Sequence, residues 1–477
     1  MTRPPVDARG GIARDARSAA NALLLAAAVE GTAGVAVYAY APVFMRQGLG
    51  EPRLAVVTFA LALASLATFV MAGRWGRWGD LTGRPGRLVA AGLAGGAAAL
   101  ALLPLVPSSA AFAGLMVATT AFLAAVMPLS VAWLTVRHPD RPGEAAARLY
   151  RARSVGWAAG SFGSGWLADA AGMAGIRLSF FLCAALALLA AAVVARTVAA
   201  AGTRTPKARG ALAAPPLPAG STPAAGDAAG PAPEAAGAAG SSGRVPNGGA
   251  PQAAPAAVGA PSPAVPLPAP AHPGGLEGRP IWRYPAVVAI AAAVLFTASG
   301  NEAFFAVFGP YLTEYLDGST GQVGWALGVA STLGILIMAP VGRLADRWGP
   351  RRVFTLGIAG YVAMYGLITA FRTPLATVAA FALPLYPLTA TGATGVISRT
   401  IPPARRGEGV GIYEGSAALA ASLGSVAGGL VADLAGLGAV PAVSLGLAAT
   451  GALVAWRWVL RNGSADPTSP DPPAAGC

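Results

Sequence analysis

The feature that most constrains this chain is a series of apolar runs, each near 20 residues long, separated by short polar segments. About 20 residues at a rise of 1.5 Å cross the roughly 30 Å hydrocarbon core of a bilayer as a helix. The sequence therefore predicts an all-α polytopic membrane protein with spans at residues 20–44, 54–75, 88–106, 109–136, 154–174, 177–197, 284–312, 321–341, 353–371, 375–399, 411–434 and 438–460.

The twelve spans form two groups of six, divided by a long segment of different composition. Residues 198–283 consist mainly of Ala, Pro, Gly and Ser, which bury too little apolar area to offset the conformational entropy lost on folding. We therefore predict five regions, which are a cytoplasmic N-terminal arm at 1–19, six-helix bundles at 20–197 and 284–461, a disordered linker at 198–283 and a disordered tail at 462–477.

The positive charges favour one orientation in the membrane. Of the 33 Lys and Arg residues, all but Arg46, Arg53, Arg177 and Arg372 fall on the face that is predicted to carry the linker and both termini. Basic loops remain in the cytoplasm. We therefore expect cytoplasmic termini and a multi-pass protein of the inner (plasma) membrane, and the net charge of +13 does not indicate nucleic-acid binding.

Two charged segments, here called the hinge segments, follow the second span of each group. Residues 342–352 contain the stronger copy, with Gly342, Asp346, Arg347, Gly349 and Arg351. We expect Gly342 to end an apolar helix, Asp346 to accept hydrogen bonds from a helix N-terminus and Gly349 to permit the chain reversal. The arginines would hold the turn among the lipid headgroups. A basic turn without a mechanical role is the alternative.

Residues 76–87 contain the weaker copy, with Gly76, Asp80, Gly83 and Arg84. The spacing of both copies resembles the loop signature of major facilitator superfamily transporters, which lies between helices two and three and again between helices eight and nine. The first copy departs from that signature at Leu81, where an arginine is usual, and at Pro85 and Gly86. The resemblance implies two pseudo-symmetric six-helix bundles with the fold of that superfamily, and secondary active transport by alternating access.

An internal repeat supports two related halves. Residues that share an identity recur at offsets of 264 to 268, with the pairs Pro42 and Pro310, Asp80 and Asp346, Gly160 and Gly424, and Asp169 and Asp433. Acidic pairs in apolar surroundings rarely recur by chance. Parallel repeats related by an axis along the membrane normal place the substrate near the midplane, between the halves.

Two carboxylates lie inside predicted spans, where an acidic residue costs about 2.5 to 3.5 kcal/mol on insertion scales and suggests a function. They are Glu30 in the first span and Glu302, beside Asn301, in the seventh. With the two halves aligned, they fall about one helical turn apart. The resembled superfamily lines its central cavity with these two helices, so we expect both carboxylates to face one chamber and to exchange protons. The alternative is that each hydrogen-bonds a neighbouring helix.

The fifth span contains Gly156, Gly160, Gly163 and Gly165. Small residues at these intervals permit close helix packing, which we favour as their role. They are also similar to the glycine-rich signature of drug and proton antiporters, where a proline stands at the position of Ser161. Two further loops match, with Arg141 and Glu144 in one and Arg405 and Glu408 in the other. We expect these loops either to pair with Asp80 and Asp346 or to be solvated anchors.

Several classes of function are excluded. The chain has two cysteines, Cys183 and Cys477, and two histidines, His138 and His272. These match no disulfide framework or metal spacing, and no nucleotide-binding loop is present. We therefore expect neither an enzyme nor an ATP-driven pump, and no metal or cofactor.

The sequence predicts a monomeric secondary transporter of small organic solutes, most simply a proton-coupled efflux antiporter. Its partners would be the substrate, protons and the lipid bilayer. Proton-coupled uptake of a sugar or organic acid is the first alternative. A non-transporting membrane sensor or assembly partner with the same fold is the second.

Overall fold

The computed structural model of the chain describes residues 6–137, 142–203, 284–401 and 406–462. Eleven segments within these ranges are long and apolar enough to cross a membrane. One of them, Ala146–Val198, has 53 residues, about 80 Å as a single helix, so it contains two crossings. The backbone reverses inside it at Gly172, where φ is 55° and ψ is −133°. The described chain therefore has the twelve predicted spans.

The first six helices are α1 (Val6–Val35, prolonged to Gly48 by short π- and α-helical turns), α2 (Leu54–Thr82), α3 (Pro85–Leu102), α4 (Ser109–Leu123 and Val126–Arg137), and α5 and α6, which share Pro142–Thr203 and meet at Gly172. The second six are α7 (Pro285–Pro310, prolonged by Tyr311–Tyr315), α8 (Thr320–Trp348), α9 (Pro350–Ala370), α10 (Pro374–Phe381 and Tyr386–Thr400), α11 (Arg406–Ala435) and α12 (Val440–Asn462). Of the predicted linker, residues 198–203 continue α6, and residues 204–283 lie outside the described ranges, as does the tail from 463.

The second hinge segment is more helical than the sequence suggested. The expectation that Gly342 ends a helix is wrong, because α8 continues through Gly342 and Asp346 to Trp348. One residue is enough for the reversal, since Gly349 adopts a φ of 85°, which favours glycine. Pro350 then occupies the start of α9, where its missing N–H costs nothing.

The first hinge segment reverses in the same way. Helix α2 continues through Gly76 and Asp80, and Gly83 ends it with a left-handed φ of 61°. Arg84 follows as the residue before α3, and Pro85 begins that helix. The proline that weakens the sequence signature therefore has a structural role as a helix start.

Both halves are built around the same close helix contact. A Cβ atom at Gly156 of α5 would overlap the carbonyl oxygen of Ala28 in α1. A Cβ atom at Gly428 of α11 would likewise overlap the carbonyl oxygen of Ala303 in α7. Glycine lets the backbones approach at these two points, which fixes α1 against α5 and α7 against α11.

The helix ends define two faces of the molecule. We call the end with residues 76–87 and 342–352 the hinge face, and the end with residues 46–53 and 313–319 the far face. The halves meet toward the far face, where Gly429 of α11 contacts Thr58 of α2 and Gly324 of α8 contacts Gly165 of α5. Nearer the hinge face, none of residues 331–340 of α8 is buried, so α8 is uncovered there.

Candidate functional site

A cavity of about 700 Å³ lies between α2 and α11, in the half of the molecule nearer the hinge face. Its volume is within the range of roughly 300 to 1,000 Å³ typical of small-molecule sites. Most of its lining is apolar, and its polar members are Tyr38, Ser65, Thr68 and Glu414. The cavity therefore suits a compound that is mostly apolar and carries few polar groups.

Glu414 is the ionisable acid of this cavity, and it is not among the site residues that the sequence predicts. It lies on α11 and is exposed, and it forms no hydrogen bond or ion pair with any other described residue. In a sequence, a glutamate near the start of a span is expected to lie among the lipid headgroups. Only the folded structure shows that Glu414 faces a cavity.

A smaller cavity of about 40 Å³ lies inside the first half, lined by Glu30, Arg153, Thr120 and other residues of α1, α2, α4 and α5. It has room for about two or three water molecules. Tyr38 and Thr68 line both cavities, and their hydroxyl oxygens are 3.4 Å apart. This hydroxyl pair therefore stands between the large cavity and the small polar one.

Glu30 forms a two-pronged ion pair with Arg153. The Arg153 Nε and Nη2 atoms donate to the two carboxylate oxygens at 2.6 Å and 3.1 Å. The Glu30 side chain is 13% exposed and that of Arg153 is 37% exposed. In the sequence Arg153 belongs with the basic loop before α5, but the crossing at Gly31 and Gly156 brings it against α1.

Glu302 occupies a different setting in the second half. The Asn301 side-chain amide donates to Glu302 at 3.4 Å, and the Tyr365 hydroxyl donates to Asn301 at 3.1 Å. Its Cβ lies beside Gly424 of α11, and it is not among the residues that line either cavity. The described residues therefore do not place the two carboxylates in one chamber, because Arg153 holds Glu30 toward α5 while Glu302 packs toward α11.

The four glycines of α5 have unequal surroundings. Gly156 and Gly160 lie against α1, where a Cβ at Gly160 would be 3.0 Å from the Cα of Thr32. Gly165 lies against α8 of the other half, with Gly324 within 3.1 Å of such a Cβ. Gly163 has nothing within 4 Å. Three of the four positions thus restrict side-chain size, and one does not.

Two carboxylates bridge the halves at the far face. Asp169, near the end of α5, accepts hydrogen bonds from the Gly321 N–H at 2.7 Å and the Ser319 hydroxyl at 3.5 Å, at the start of α8. Asp433, near the end of α11, accepts from the N–H groups of Leu54 and Ala55 at 2.8 Å and 2.9 Å, at the start of α2. Each carboxylate satisfies free N–H groups at a helix N-terminus in the opposite half and complements its dipole.

An ion pair joins the first helices of the two halves at the same face. Arg46 donates to both carboxylate oxygens of Glu314, at 3.1 Å from Nε and 2.6 Å from Nη2. Beside it, the Gln47 amide donates to the Thr313 hydroxyl at 3.2 Å. The far face is therefore closed by polar contacts from three pairs of helices.

The hinge face has no comparable bridge among its described residues. Asp80 and Asp346 form no hydrogen bond or ion pair there. Arg351 lies over the ring of Trp458 at 4.9 Å, and Arg347 is in the last turn of α8. Of the expected partners, Arg141 and Arg405 lie outside the described residues, while Glu144 pairs with Arg148 at 2.7 Å.

No group of three or more potential metal ligands occurs among the described residues. Their arrangement offers a cavity, an ion pair and a set of contacts that can break and form between two halves. These are the parts that solute movement requires, and none of them is a site for covalent chemistry.

Comparison with known proteins agrees with this architecture. A relative from Streptomyces glaucescens, described as a tetracenomycin C resistance and export protein, is 29% identical over 201 residues, which are 40% of this chain and 35% of the relative. The chain thus matches about a third of that protein's length. A point mutant of the nucleoside transporter NupG superposes with a TM-score of 0.65 at 10% identity over 93% of this chain and 99% of NupG. A D-xylose–proton symporter superposes with a TM-score of 0.62 at 13% identity, over 92% and 97%.

The family model of the Major Facilitator Superfamily matches residues 22–297 and 288–475. These ranges include both six-helix halves, and the solved structures share their fold. The chain therefore belongs to the major facilitator superfamily, as a multi-pass membrane transporter and not an enzyme.

Proposed function

We propose that this transporter exports small, largely apolar organic compounds by proton-coupled alternating access. The observation that carries the proposal is the cavity of about 700 Å³ between the halves, whose lining is mainly apolar and contains one carboxylate. Sugars and organic acids need several polar or basic groups around them, and the part of the cavity lining that the structure describes contains no Lys or Arg. The export protein among the relatives gives the direction independent support.

The orientation of the proposed export follows from the charge pattern. If basic loops remain in the cytoplasm, the hinge face and both termini are cytoplasmic and the protein spans the inner membrane. The contacts at the far face then close the outer side, and the large cavity opens toward the cytoplasm. An exporter loads its substrate in this inward-facing state. In this arrangement residues 198–283 serve as a linker between two rigid six-helix units.

Two carboxylates are our candidates for proton coupling. Protonation of Glu30 would release Arg153 in the small cavity, because the ion pair requires a negative charge on the glutamate. Glu302 could carry a proton within the second half, with Asn301 as its hydrogen-bond partner. Either carboxylate could link proton uptake to a change in the contacts between helices.

Transport in proteoliposomes tests the proposal. We expect purified protein to move largely apolar organic compounds against their gradient when a proton gradient is imposed, and not without it. A panel should also include sugars and organic acids. Accumulation of those solutes in the opposite direction would replace export by uptake, and no movement of any solute would favour a sensor or assembly partner with this fold.

A further inference from the structure

The large cavity carries a negative charge that has no partner among the described residues. Glu414 is the charged side chain among the described residues that line it, and none of the ion pairs within the described ranges includes it. On the opposite half, Arg153 lines the adjacent small cavity and is not among the residues that line the large one. Because Arg153 is already paired with Glu30 through two hydrogen bonds, Glu414 is the charge of the cavity lining that is available to a ligand.

Aromatic side chains share the cavity lining with this carboxylate. Tyr38 of α1 and Phe69 of α2 both line the cavity. Electron-rich ring faces attract cations, most strongly where water is excluded.

Charge and aromaticity together define one class of ligand. A cation gains from a carboxylate much more in apolar surroundings than in water, and the apolar walls favour a body without other polar groups. Glu414 would repel an anion, and a neutral compound could gain a hydrogen bond from it but not the attraction between opposite charges. We propose that the cavity binds organic monocations with a large apolar body, and that Glu414 supplies the opposing charge. This inference rests on the proposed export function and adds the substrate class to it.

Direct binding tests this assignment. The protein in lipid nanodiscs would be titrated with radiolabelled tetraphenylphosphonium, an organic monocation, and with triphenylphosphine oxide, a related neutral compound, against empty nanodiscs. Glu414→Gln should weaken tetraphenylphosphonium binding at least tenfold and leave the neutral compound within twofold. Glu414→Asp, which keeps the charge, should retain most of the affinity for the cation.

A matched control removes the same charge elsewhere. Asp317 is exposed on the far face, outside the cavity lining, and Asp317→Asn should leave both ligands unchanged. The inference is overturned if Glu414→Gln binds the cation as tightly as the wild type does, or if the wild type does not prefer the cation to the neutral compound. Its failure is distinct from failure of export, because neutral compounds would then still be transported in proteoliposomes. Conversely, Glu414-dependent cation binding without any transport would uphold the binding site and refute the exporter.

Discussion

Glu30 and Arg153 form an ion pair within membrane-spanning helices, where an unpaired charge is more costly than a pair. We predict that Glu30→Gln lowers stability because it leaves Arg153 without its partner. The expected loss is about 1 to 3 kcal/mol, below that of a fully buried pair, since the Arg153 side chain is 37% exposed. The double variant Glu30→Gln with Arg153→Gln should recover part of the loss. Thermal unfolding in detergent measures both, and a double variant less stable than the single one would refute this role of the pair.

The proposed proton-coupling role of Glu302 can be tested separately from its hydrogen bonding. Gln keeps the size of Glu and much of its hydrogen bonding but cannot change charge. We therefore predict that Glu302→Gln abolishes uphill transport and retains substrate exchange, which needs no net proton movement. Tyr365→Phe is the control, because it removes the hydrogen bond to Asn301 and keeps the carboxylate. Equal loss of coupling in both variants would show that Glu302 is structural.

At the residue scale, sequence reasoning finds unusual residues more readily than their partners. Glu30 and Glu302 are conspicuous because acids are rare in apolar spans. Arg153 and Glu414 are not, because each lies near the end of a span where charged residues are ordinary. Whether such a residue contacts lipid headgroups or a cavity depends on helix rotation and crossing, which a single sequence does not fix.

At the element scale, the crossing of α1 and α5 depends on Gly156. A Cβ at this position would overlap the Ala28 carbonyl oxygen, and forced overpacking typically costs about 1 to 3 kcal/mol. Gly156→Ala should therefore separate the two helices, disturb the adjacent Arg153 ion pair and lower the unfolding temperature. Gly163→Ala in the same helix is the matched control, because nothing lies within 4 Å of its Cβ. If the two substitutions lower stability equally, close packing does not explain the glycines of this helix.

The caps at the far face should control the equilibrium between inward- and outward-facing states. Losing an N-cap costs about 0.5 to 2 kcal/mol, and Asp169 and Asp433 each cap a helix of the other half. We predict that Asp433→Ala shifts the population toward a far face that is open, and that adding Asp169→Ala shifts it further. Spin labels at Glu51 and Asp317, both outside the capping contacts, would report longer distances. Unchanged distances in the double variant would refute this role of the caps.

Sequence patterns predicted the helices better than their ends. Each predicted span corresponds to a helix because apolar length is visible in the sequence. The hinge segments, however, were expected to be loops since they are polar, and the helices of both halves continue through them. Polarity shows where a helix leaves the bilayer, whereas Gly83 and Gly349 show where the backbone stops being helical.

At the scale of the whole molecule, the internal repeat produces equivalent contacts in both directions between the two halves. Asp169 and Asp433 are equivalent in the two halves. Asp169 caps α8 and Asp433 caps α2, and these two helices are also equivalent to each other. Arg46 and Glu314 also occupy equivalent positions, 268 residues apart. Equivalent residues meet at a two-fold axis, where identical charges would repel. Because the two halves have opposite charges at this position, Arg46 and Glu314 can form an ion pair.

Asp80 and Asp346 should act on the same equilibrium between inward- and outward-facing states as the far-face caps do, but in the opposite direction. Asp346 and Asp80 form no hydrogen bond or ion pair among the described residues of this state, so their substitution removes nothing from it. If they bind helix ends when the hinge face closes, Asp346→Asn should destabilise only the other state, enrich the present one and slow turnover. Asp80→Asn should have a smaller effect, because its hinge segment lacks the arginine at Leu81.

Combining the variants tests whether Asp433 and Asp346 shift the equilibrium in opposite directions. Asp433→Ala weakens closure of the far face and Asp346→Asn weakens closure of the hinge face, so the double variant should return toward the wild-type distribution. Distances between the Glu51 and Asp317 labels would measure the population in all four proteins. If Asp346→Asn alone opens the far face, or if the double variant opens it further than Asp433→Ala does, the two faces are not opposing latches on one two-state equilibrium.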